Sequence, residues 1–225
     1  MKIGILQTGI AADALITKHG DYPDNFKTFL QNRGFEFEVY EVINNIFPDG
    51  INDCDGWLVT GSRHGAYEKH DWIPPLEKFI CDLYEADIPL IGVCFGHQII
   101  AQALGGIVEK FKGGWTVGRQ VYESDNGNKI KLNAYHQDQV ISAPKCATKI
   151  SGNENCKNAI ITYGQKAFTM QPHPEFSNTY IRELIDARGI GLIDDKILEN
   201  ARNNLMEDLD AKEIANQFEA FYKRA

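Results

Sequence analysis

Short apolar runs alternate with stretches of helically spaced apolar residues through the first half of the chain. The apolar runs predict buried strands, and the spaced positions predict helices that bury one face. Strands are predicted at residues 2–7, 35–40, 56–60 and 89–93, and helices at residues 24–33, 74–86 and 96–104. This alternation is typical of a mostly parallel sheet with helices covering both faces.

The pattern changes after residue 106, where short strands follow one another with little helix between them. These strands are predicted at residues 117–122, 129–135, 148–151, 159–163 and 167–171. They indicate a β-rich insert on the α/β core, with a hairpin turn at Asp125-Asn126-Gly127-Asn128. The chain then returns to helix, and the apolar stripe of Ile214, Phe218 and Phe221 is expected to pack on the sheet. No linker interrupts the pattern, so residues 1–225 are predicted to form a single domain.

Composition and charge exclude several classes of protein. With 225 residues, of which 43% are hydrophobic, the chain has the size and composition of a soluble globular domain. Its net charge of −8 disfavours nonspecific binding to nucleic acid or to an anionic membrane. No stretch approaches the ~20 apolar residues of a membrane span. The five cysteines are irregularly spaced and the first residues form a strand rather than a signal peptide, so a reduced, cytoplasmic protein is expected.

The strongest chemical signal is Gly92-Val93-Cys94-Phe95-Gly96, which joins the fourth predicted strand to the helix behind it. A sharp strand-to-helix turn with glycines on both sides of a nucleophilic residue is a nucleophile elbow, familiar in its serine form G-x-S-x-G. The glycines are needed because a Cβ beside so tight a turn would collide with neighbouring backbone. Cys94 would lie at the positive N-terminus of the helix, where the thiolate is favoured.

A candidate base follows the last predicted strand, in the segment Gln171-Pro172-His173-Pro174-Glu175-Phe176. The prolines exclude helix, and residues two apart in an extended segment point to one side, so Glu175 is placed to accept the Nδ1 proton of His173. A nucleophile, a base and a residue that orients the base form a catalytic triad. A lone cysteine is most often a small buried hydrophobe. Here, however, both segments follow strands of one predicted parallel sheet, at the edge where sites form.

With both motifs considered together, the chain resembles the class I (triad-type) glutamine amidotransferases over nearly its whole length. It looks most like the stand-alone, GMP-synthase-like group, which is similar to the gamma-glutamyl peptidases. The resemblance implies a three-layer, flavodoxin-like α/β fold with a β-rich insert. It also implies that Cys94 attacks the side-chain carbonyl of glutamine, that His173 transfers the protons, and that Glu175 fixes the imidazole tautomer.

The same resemblance suggests roles for residues around the triad. The backbone N–H of Phe95, directly after the nucleophile, is one oxyanion donor. Gly61, in the loop after the third strand, matches the second donor, and this role is favoured over the alternative that it only turns the chain. Gln98 matches a family position that contacts glutamine. His136 and Asp138 match a family segment of the form H-x-D-x-V, and they either line or support the pocket or form a polar strand end at the surface.

Other polar segments have weaker chemical interpretations. Residues 114–118 resemble a pocket wall of the family. His64 and His70 lie in a polar, acidic loop and are predicted to be solvated, or to form a substrate-entry loop, rather than to bind metal. Cys94 and His97 have a C-x-x-H spacing without further ligands nearby in sequence. No dinucleotide fingerprint or P-loop occurs, so no cofactor and no metal are predicted.

Three functions remain open. The first is a glutamine amidotransferase or glutaminase, whose ammonia is released or passed to a separate synthetase subunit, because the chain contains no ATP-binding segment. The second has the same chemistry but cleaves γ-glutamyl peptides or conjugates. The third is a regulatory or binding protein that a partner activates, against which the complete triad argues. The first two predict a small-molecule substrate, and none of them predicts a nucleic-acid or membrane partner.

Overall fold

A seven-stranded sheet lies at the centre of the part of the chain that the computed structural model describes, residues 1–124 and 127–224. The strands are β1 (Lys2–Leu6), β2 (Glu36–Tyr40), β3 (Gly56–Val59), β4 (Leu90–Val93), β5 (Ile107–Lys110), β6 (Thr116–Glu123), β7 (Lys129–His136), β8 (Asp138–Ser142), β9 (Lys149–Ser151), β10 (Ile160–Tyr163) and β11 (Ala167–Met170). The helices are α1 (Asp13–His19), α2 (Tyr22–Phe29), α3 (Ile73–Glu85), α4 (Phe95–Ala103), α5 (Asn178–Leu184), α6 (Asp195–Asn203) and α7 (Ala211–Tyr222).

The strand order β2-β1-β3-β4-β11-β10-β9 confirms the predicted, mostly parallel sheet. Strand β1 pairs in parallel with β2 and β3, β3 pairs in parallel with β4, and β4 with β11. Strand β10 runs antiparallel to β11 and to β9. Because parallel strands end at the same edge of a sheet, the segments that follow β3, β4 and β11 meet there. Those segments contain Gly61, Cys94 and His173.

Helices cover both faces of this sheet and produce the expected three layers. Along β3, Trp57 and Val59 belong to one core cluster and Leu58 to the other, because successive side chains alternate across a strand. Helices α3 and α4 pack on the first face, and α2 and α7 pack on the second. Phe218 is fully buried and Phe221 partly buried in the second cluster, so the predicted C-terminal stripe does pack on the sheet.

The β-rich insert is smaller than the sequence predicts. Among the described residues, β9 and β10 extend the central sheet, and only β5 with β8 and β6 with β7 form separate two-stranded sheets. The strand pattern could not predict which sheet β9 and β10 join, because the partner of a short strand is decided by packing against elements distant in sequence. Strands β6 and β7 pair antiparallel, as the predicted hairpin requires. Asp125 and Asn126 of its predicted turn lie outside the described residues.

Helices α1, α5 and α6 were not predicted. Each has only seven to nine residues, which gives a weak periodic signal. Ser177 caps α5 by accepting the Tyr180 N–H, and Asp194 precedes α6 and accepts the Lys196 N–H. Together the three helices bury a third apolar cluster next to the edge where the candidate site lies. None of the helices in the described ranges is both long and apolar enough to cross a membrane.

Candidate active site

Strand β4 leads into a backbone conformation that is rare for any residue except glycine, and that residue is Cys94. Its φ of 55° and ψ of −104° lie outside the regions that a side chain normally allows. The Cys94 N–H donates to Met170 O at 2.8 Å, and its carbonyl accepts the Gln98 N–H at 3.1 Å. Hydrogen bonds to the neighbouring strand and to α4 therefore hold the strained turn, which is the geometry of a nucleophile elbow.

Two glycines make this turn sterically possible, as the sequence predicts. A Cβ built on Gly92 would lie 2.5 Å from Gly96 O, and a Cβ on Gly96 would lie 2.2 Å from Val59 O. Both distances are far shorter than a van der Waals contact, and the atoms approached are backbone atoms that cannot rotate away. The close packing of β3, β4 and α4 therefore requires glycine at both positions.

His173 and Glu175 form a buried pair on the segment after β11. His173 Nδ1 lies 2.7 Å from Glu175 Oε1, and the two side chains are 5% and 1% exposed. The His173 ring stacks on Phe176 with 4.0 Å between ring centroids, and its backbone N–H donates to Asn133 O at 2.8 Å. Since the Glu175 carboxylate accepts at Nδ1, Nε2 of His173 is left for another partner.

That partner is Cys94, and the electrostatics of the pair are unusual. Burial alone would lower the pKa of His173, but the Glu175 carboxylate and the neighbouring Cys94 sulfur more than compensate and raise that pKa to about 10. The raised pKa favours the protonated imidazole. An imidazolium beside a cysteine is the arrangement that stabilises a reactive thiolate.

A cavity of ≈ 290 Å³ opens at this edge of the sheet, and most of the predicted site residues line it. The predicted residues in its wall are Gly61, Cys94, Gln98, His136, Asp138 and His173. Trp115, from the predicted pocket wall at residues 114–118, lines it as well. Glu175 lies behind His173, and Phe95 is fully buried at the start of α4. The structure thus brings all the predicted site residues into one region.

The two predicted oxyanion donors, Gly61 and Phe95, both lie near Cys94. Gly61 follows β3, and Phe95 directly follows Cys94. A Cβ on Gly61 would lie 3.1 Å from His173 Cε1 and 3.8 Å from Cys94 Cβ. Thr8 Oγ1 donates to Thr60 O at 2.9 Å, which helps to fix the peptide that carries the Gly61 N–H. Phe95 is the first residue of α4, a position whose N–H has no partner within its own helix.

His136 helps to line the cavity and has an acceptor nitrogen that is itself buried. Its Nδ1 lies 3.2 Å from Asp138 O, and because a carbonyl only accepts, Nδ1 carries the proton and Nε2 has a free lone pair. Within the described residues, this buried Nε2 has no hydrogen-bond partner. Burial, reinforced by the charge of nearby His173, lowers the pKa of His136 to about 3, so its ring stays neutral.

Gln98 and Asp138 connect the cavity wall to α4. Gln98 Nε2 donates to Asp138 O at 2.9 Å and to Gln171 Oε1 at 3.1 Å. Burial raises the pKa of the Asp138 carboxyl, and a hydrogen bond from Tyr67 and the charge of Lys110 partly oppose that shift. The structure therefore places His136 and Asp138 in the cavity wall and not at a solvated strand end.

The sequence did not reveal the residue that supports the histidine segment, Asn133. This side chain is fully buried in β7, and its Nδ2 donates to Phe176 O and to Asn178 Oδ1, each at 3.0 Å. Its backbone carbonyl accepts the His173 N–H. The sequence did offer one signal, because Asn133 lies between the apolar residues Leu132 and Ala134 of a strand. A buried amide is normally hydrogen-bonded, so an asparagine at such a position indicates a structural contact.

The mostly parallel sheet, with a cysteine elbow and a histidine–glutamate pair at one edge, defines an α/β protein with a candidate cysteine–histidine–glutamate site. Residues 19–187 match the family model described as glutamine amidotransferase class-I. The chain belongs to that family.

Similarity to individual proteins extends beyond the matched residues. The chain is 27% identical over 205 residues to gamma-glutamyl peptidase 3 of Arabidopsis thaliana, with 83% of this chain and 82% of the relative covered. It is 30% identical over 205 residues to a glutamine amidotransferase-like protein of Schizosaccharomyces pombe, covering 81% and 82%. The crystal structure of a glutamine amidotransferase from Methylobacillus flagellatus superposes with a TM-score of 0.80 at 21% identity, covering 99% of this chain and 93% of the other. That structure has the same fold.

Proposed function

We propose that this protein hydrolyses γ-glutamyl amides through a covalent intermediate on Cys94, with glutamine as the simplest substrate. The observation that carries the proposal is the strained Cys94 backbone, at φ 55°, in contact with the buried His173–Glu175 pair. A strained nucleophile beside an oriented base is the arrangement required for nucleophilic catalysis. We also place the protein in the cytoplasm, because all five of its cysteines are free thiols.

In the first half of the reaction, the Cys94 thiolate attacks the γ-carbonyl carbon of glutamine. The tetrahedral intermediate collapses, the C–N bond breaks, and the proton on His173 Nε2 passes to the departing nitrogen, which leaves as ammonia. A γ-glutamyl thioester remains on Cys94. In the second half, His173 takes a proton from water, the hydroxide adds to the thioester carbon, and the C–S bond breaks to release glutamate.

Each tetrahedral intermediate carries an oxyanion, for which Gly61 and Phe95 are the proposed donors. Both are backbone N–H groups near Cys94, and backbone donors need no reorganisation during the reaction. The loss of one such donor raises the activation barrier by ~2.7–4 kcal/mol. The lack of a Cβ at Gly61 also leaves room for the His173 ring, which such a Cβ would approach to 3.1 Å.

We assign recognition of the glutamyl group to the wall that contains Gln98, His136 and Asp138. The unpartnered acceptor at His136 Nε2 suits the donor hydrogens of an amino or amide group, and because this atom is buried the side chains around it must shift when substrate binds. The volume of ≈ 290 Å³ is at the small end of the range for ligand pockets, about 300–1,000 Å³, and suits an amino acid or a small peptide.

A second candidate substrate is a γ-glutamyl peptide. The similarity to a gamma-glutamyl peptidase favours it, and so do three basic residues in the cavity wall, Arg63, Lys110 and Arg188, which would attract the carboxylate of a peptide leaving group. The reaction steps are unchanged, except that an amine leaves in place of ammonia. If glutamine is the physiological substrate, a separate synthetase subunit is the proposed acceptor of ammonia.

The deciding experiment measures glutamate release by the purified protein from glutamine and from a γ-glutamyl dipeptide. Cys94→Ala is expected to abolish release, whereas Cys81→Ala, which removes a thiol of α3 that contacts Ala103 O at the far end of α4 and does not line the cavity, should retain it. Cys94-dependent release from glutamine supports the first candidate, and release from the dipeptide alone supports the second. If neither amide is cleaved, a partner-activated regulatory protein becomes the better description and the proposal fails for the isolated chain.

A further inference from the structure

Three potential metal ligands converge at the rim of the cavity. His64 Nδ1 lies 3.2 Å from Glu68 Oε2, and His70 Nε2 lies 2.7 Å from the same oxygen. The ligand atoms of all three residues lie within 4.8 Å of one another. His64 and Glu68 also line the cavity that contains Cys94. The sequence did not predict this cluster, because irregular loop backbone brings the three side chains together.

We propose that His64, Glu68 and His70 bind a divalent first-row transition metal such as Zn²⁺. Two imidazoles and a carboxylate are a common zinc ligand set, with metal–ligand distances of ~2.0–2.2 Å. In a tetrahedron these distances separate the ligand atoms by about 3.3–3.6 Å. The observed separations of 2.7 Å and 3.2 Å are shorter than this by about 0.1–0.9 Å, so a metal that enters between the ligand atoms need only push them slightly apart.

Metal binding replaces the two hydrogen bonds that now hold the cluster together. Each imidazole donates an N–H to the Glu68 carboxylate in the free protein, since the carboxylate only accepts. A bound metal takes that position: the nitrogen facing Glu68 loses its proton to solvent, and each neutral ring carries its one proton on the opposite nitrogen. His64 then coordinates through Nδ1, His70 through Nε2, and Glu68 through Oε2.

The environment of the cluster supports this assignment. The His70 ring stacks on Trp72, with an interplanar angle of 12°, which restricts its orientation.

The proposed metal site is connected to the nucleophile by packing. Trp72 contacts Phe95, with 5.5 Å between ring centroids, and Phe95 directly follows Cys94. A metal that joins His64 to His70 would therefore hold the cavity rim against the start of α4. Three protein ligands also leave one tetrahedral position open, which water or a group of the substrate would fill. The metal proposal does not depend on the proposed function.

Titration with Co²⁺ tests the site by visible absorption, a measurement independent of turnover. The protein used is the full-length Cys94→Ser variant, because the thiol beside His173 is the strongest competing ligand. We expect one Co²⁺ per chain, with the intense visible bands of a four-coordinate site, no sulfur charge-transfer band, and displacement by Zn²⁺. The proposal is wrong if this variant shows no stoichiometric uptake, or if the spectrum shows sulfur ligation.

Substitutions in the same Cys94→Ser background identify the ligands. His64→Ala, Glu68→Gln and His70→Ala should each weaken binding by at least the 10- to 100-fold loss typical of even an outer-shell change. His19→Ala is the matched control, because His19 Nε2 lies 2.9 Å from Glu183 Oε2 in a histidine–glutamate pair that is not part of the cluster. Unchanged affinity in His70→Ala would contradict the assignment, as would lost affinity in the control.

Thermal unfolding provides a second measurement in case a loop variant folds poorly. A metal that binds only the folded chain raises Tm. Zn²⁺ should therefore raise the Tm of Cys94→Ser but not of Cys94→Ser/His70→Ala, whose His70 side chain is one-third exposed and is expected to be dispensable for folding. An equal rise in both variants would place the metal elsewhere and refute the proposal.

Discussion

Cys94 and His173 are each held by contacts that do not involve the other. The Cys94 N–H is bound by Met170 O, whereas the His173 ring is bound by Glu175 and stacked on Phe176. Their contact is therefore already organised before substrate binds, so little reorganisation is needed in the transition state. Substitutions at these residues should affect turnover more than folding.

Replacement of the orienting carboxylate is the clearest test at this scale. Glu175→Gln keeps the side-chain size but removes the negative charge that raises the pKa of His173. Burial lowers that pKa, so we expect it to be lower in the variant. We expect kcat for glutamate release to fall by roughly 10⁴-fold, which is less than for Cys94→Ala. Glu175→Asp, which retains the charge with a shorter reach, should fall between Glu175→Gln and the unchanged protein. Wild-type kcat in Glu175→Gln would contradict the triad.

His136 should influence substrate binding more than chemistry. His136→Phe fills a similar volume but removes the acceptor at Nε2, so we expect KM to rise about 10-fold, equivalent to one hydrogen bond, with little change in kcat. His136→Gln restores an acceptor near that position and should recover part of the lost affinity. Steady-state kinetics with glutamine or the dipeptide separate the two parameters. The assignment is wrong if KM stays the same in His136→Phe.

At the scale of elements, β3, β4 and α4 pack so closely that two positions at their junction, Gly92 and Gly96, leave no room for a side chain. A Cβ at Gly96 would lie 2.2 Å from Val59 O, so either α4 or β3 must shift to accommodate it. We expect Gly96→Ala to lower the free energy of unfolding by about 3 kcal/mol, the upper part of the range for overpacking. Urea denaturation gives the value.

Gly50 provides the matched control for that substitution. A Cβ there would meet no atom within 4 Å, and the backbone has no positive φ that a side chain would strain. Gly50→Ala should therefore change stability by no more than about 0.5 kcal/mol. Equal stability of the two alanine variants would show that the junction is looser than the geometry indicates.

For the whole molecule, features set by a short stretch of sequence could be predicted, whereas the pairing of distant segments could not. The Cys94 elbow and the His173–Glu175 pair could be predicted because each lies within a few residues and follows a strand. The support from Asn133 and the membership of β9 and β10 in the main sheet could not, because they depend on contacts between segments far apart in sequence. The short helices α1, α5 and α6 were missed because their periodic signal is weak.

The pH dependence of folding should reflect a histidine beneath the elbow. His97 is fully buried, its Nδ1 lies 2.8 Å from Thr169 Oγ1, and burial lowers its pKa to about 3. Between pH 6.5 and 3 the unfolded chain binds a proton that the folded chain does not, so stability falls as pH falls. This residue contributes up to about 1.4 kcal/mol per pH unit.

His97→Asn isolates that contribution, since the amide can replace Nδ1 in the hydrogen bond with Thr169. The stability advantage of the unsubstituted protein over the variant should shrink as pH is lowered through this range. Free energies of unfolding from urea titrations at several pH values measure the difference, and the many carboxylates that also titrate cancel in it. Parallel stability curves would mean that His97 is protonated in the folded protein.

The proposed single domain makes a prediction for the whole chain. Tyr122 of β6 and Leu132 of β7 are fully buried in the same core cluster as Ile5 and Leu58 of the central sheet. Because the separate β6–β7 pair shares this core, it should not unfold on its own. Hydrogen exchange with mass spectrometry at rising urea should give one midpoint for peptides from β6, β7, β1 and β3. If the β6–β7 peptides opened at lower urea, the insert would be a separate folding unit.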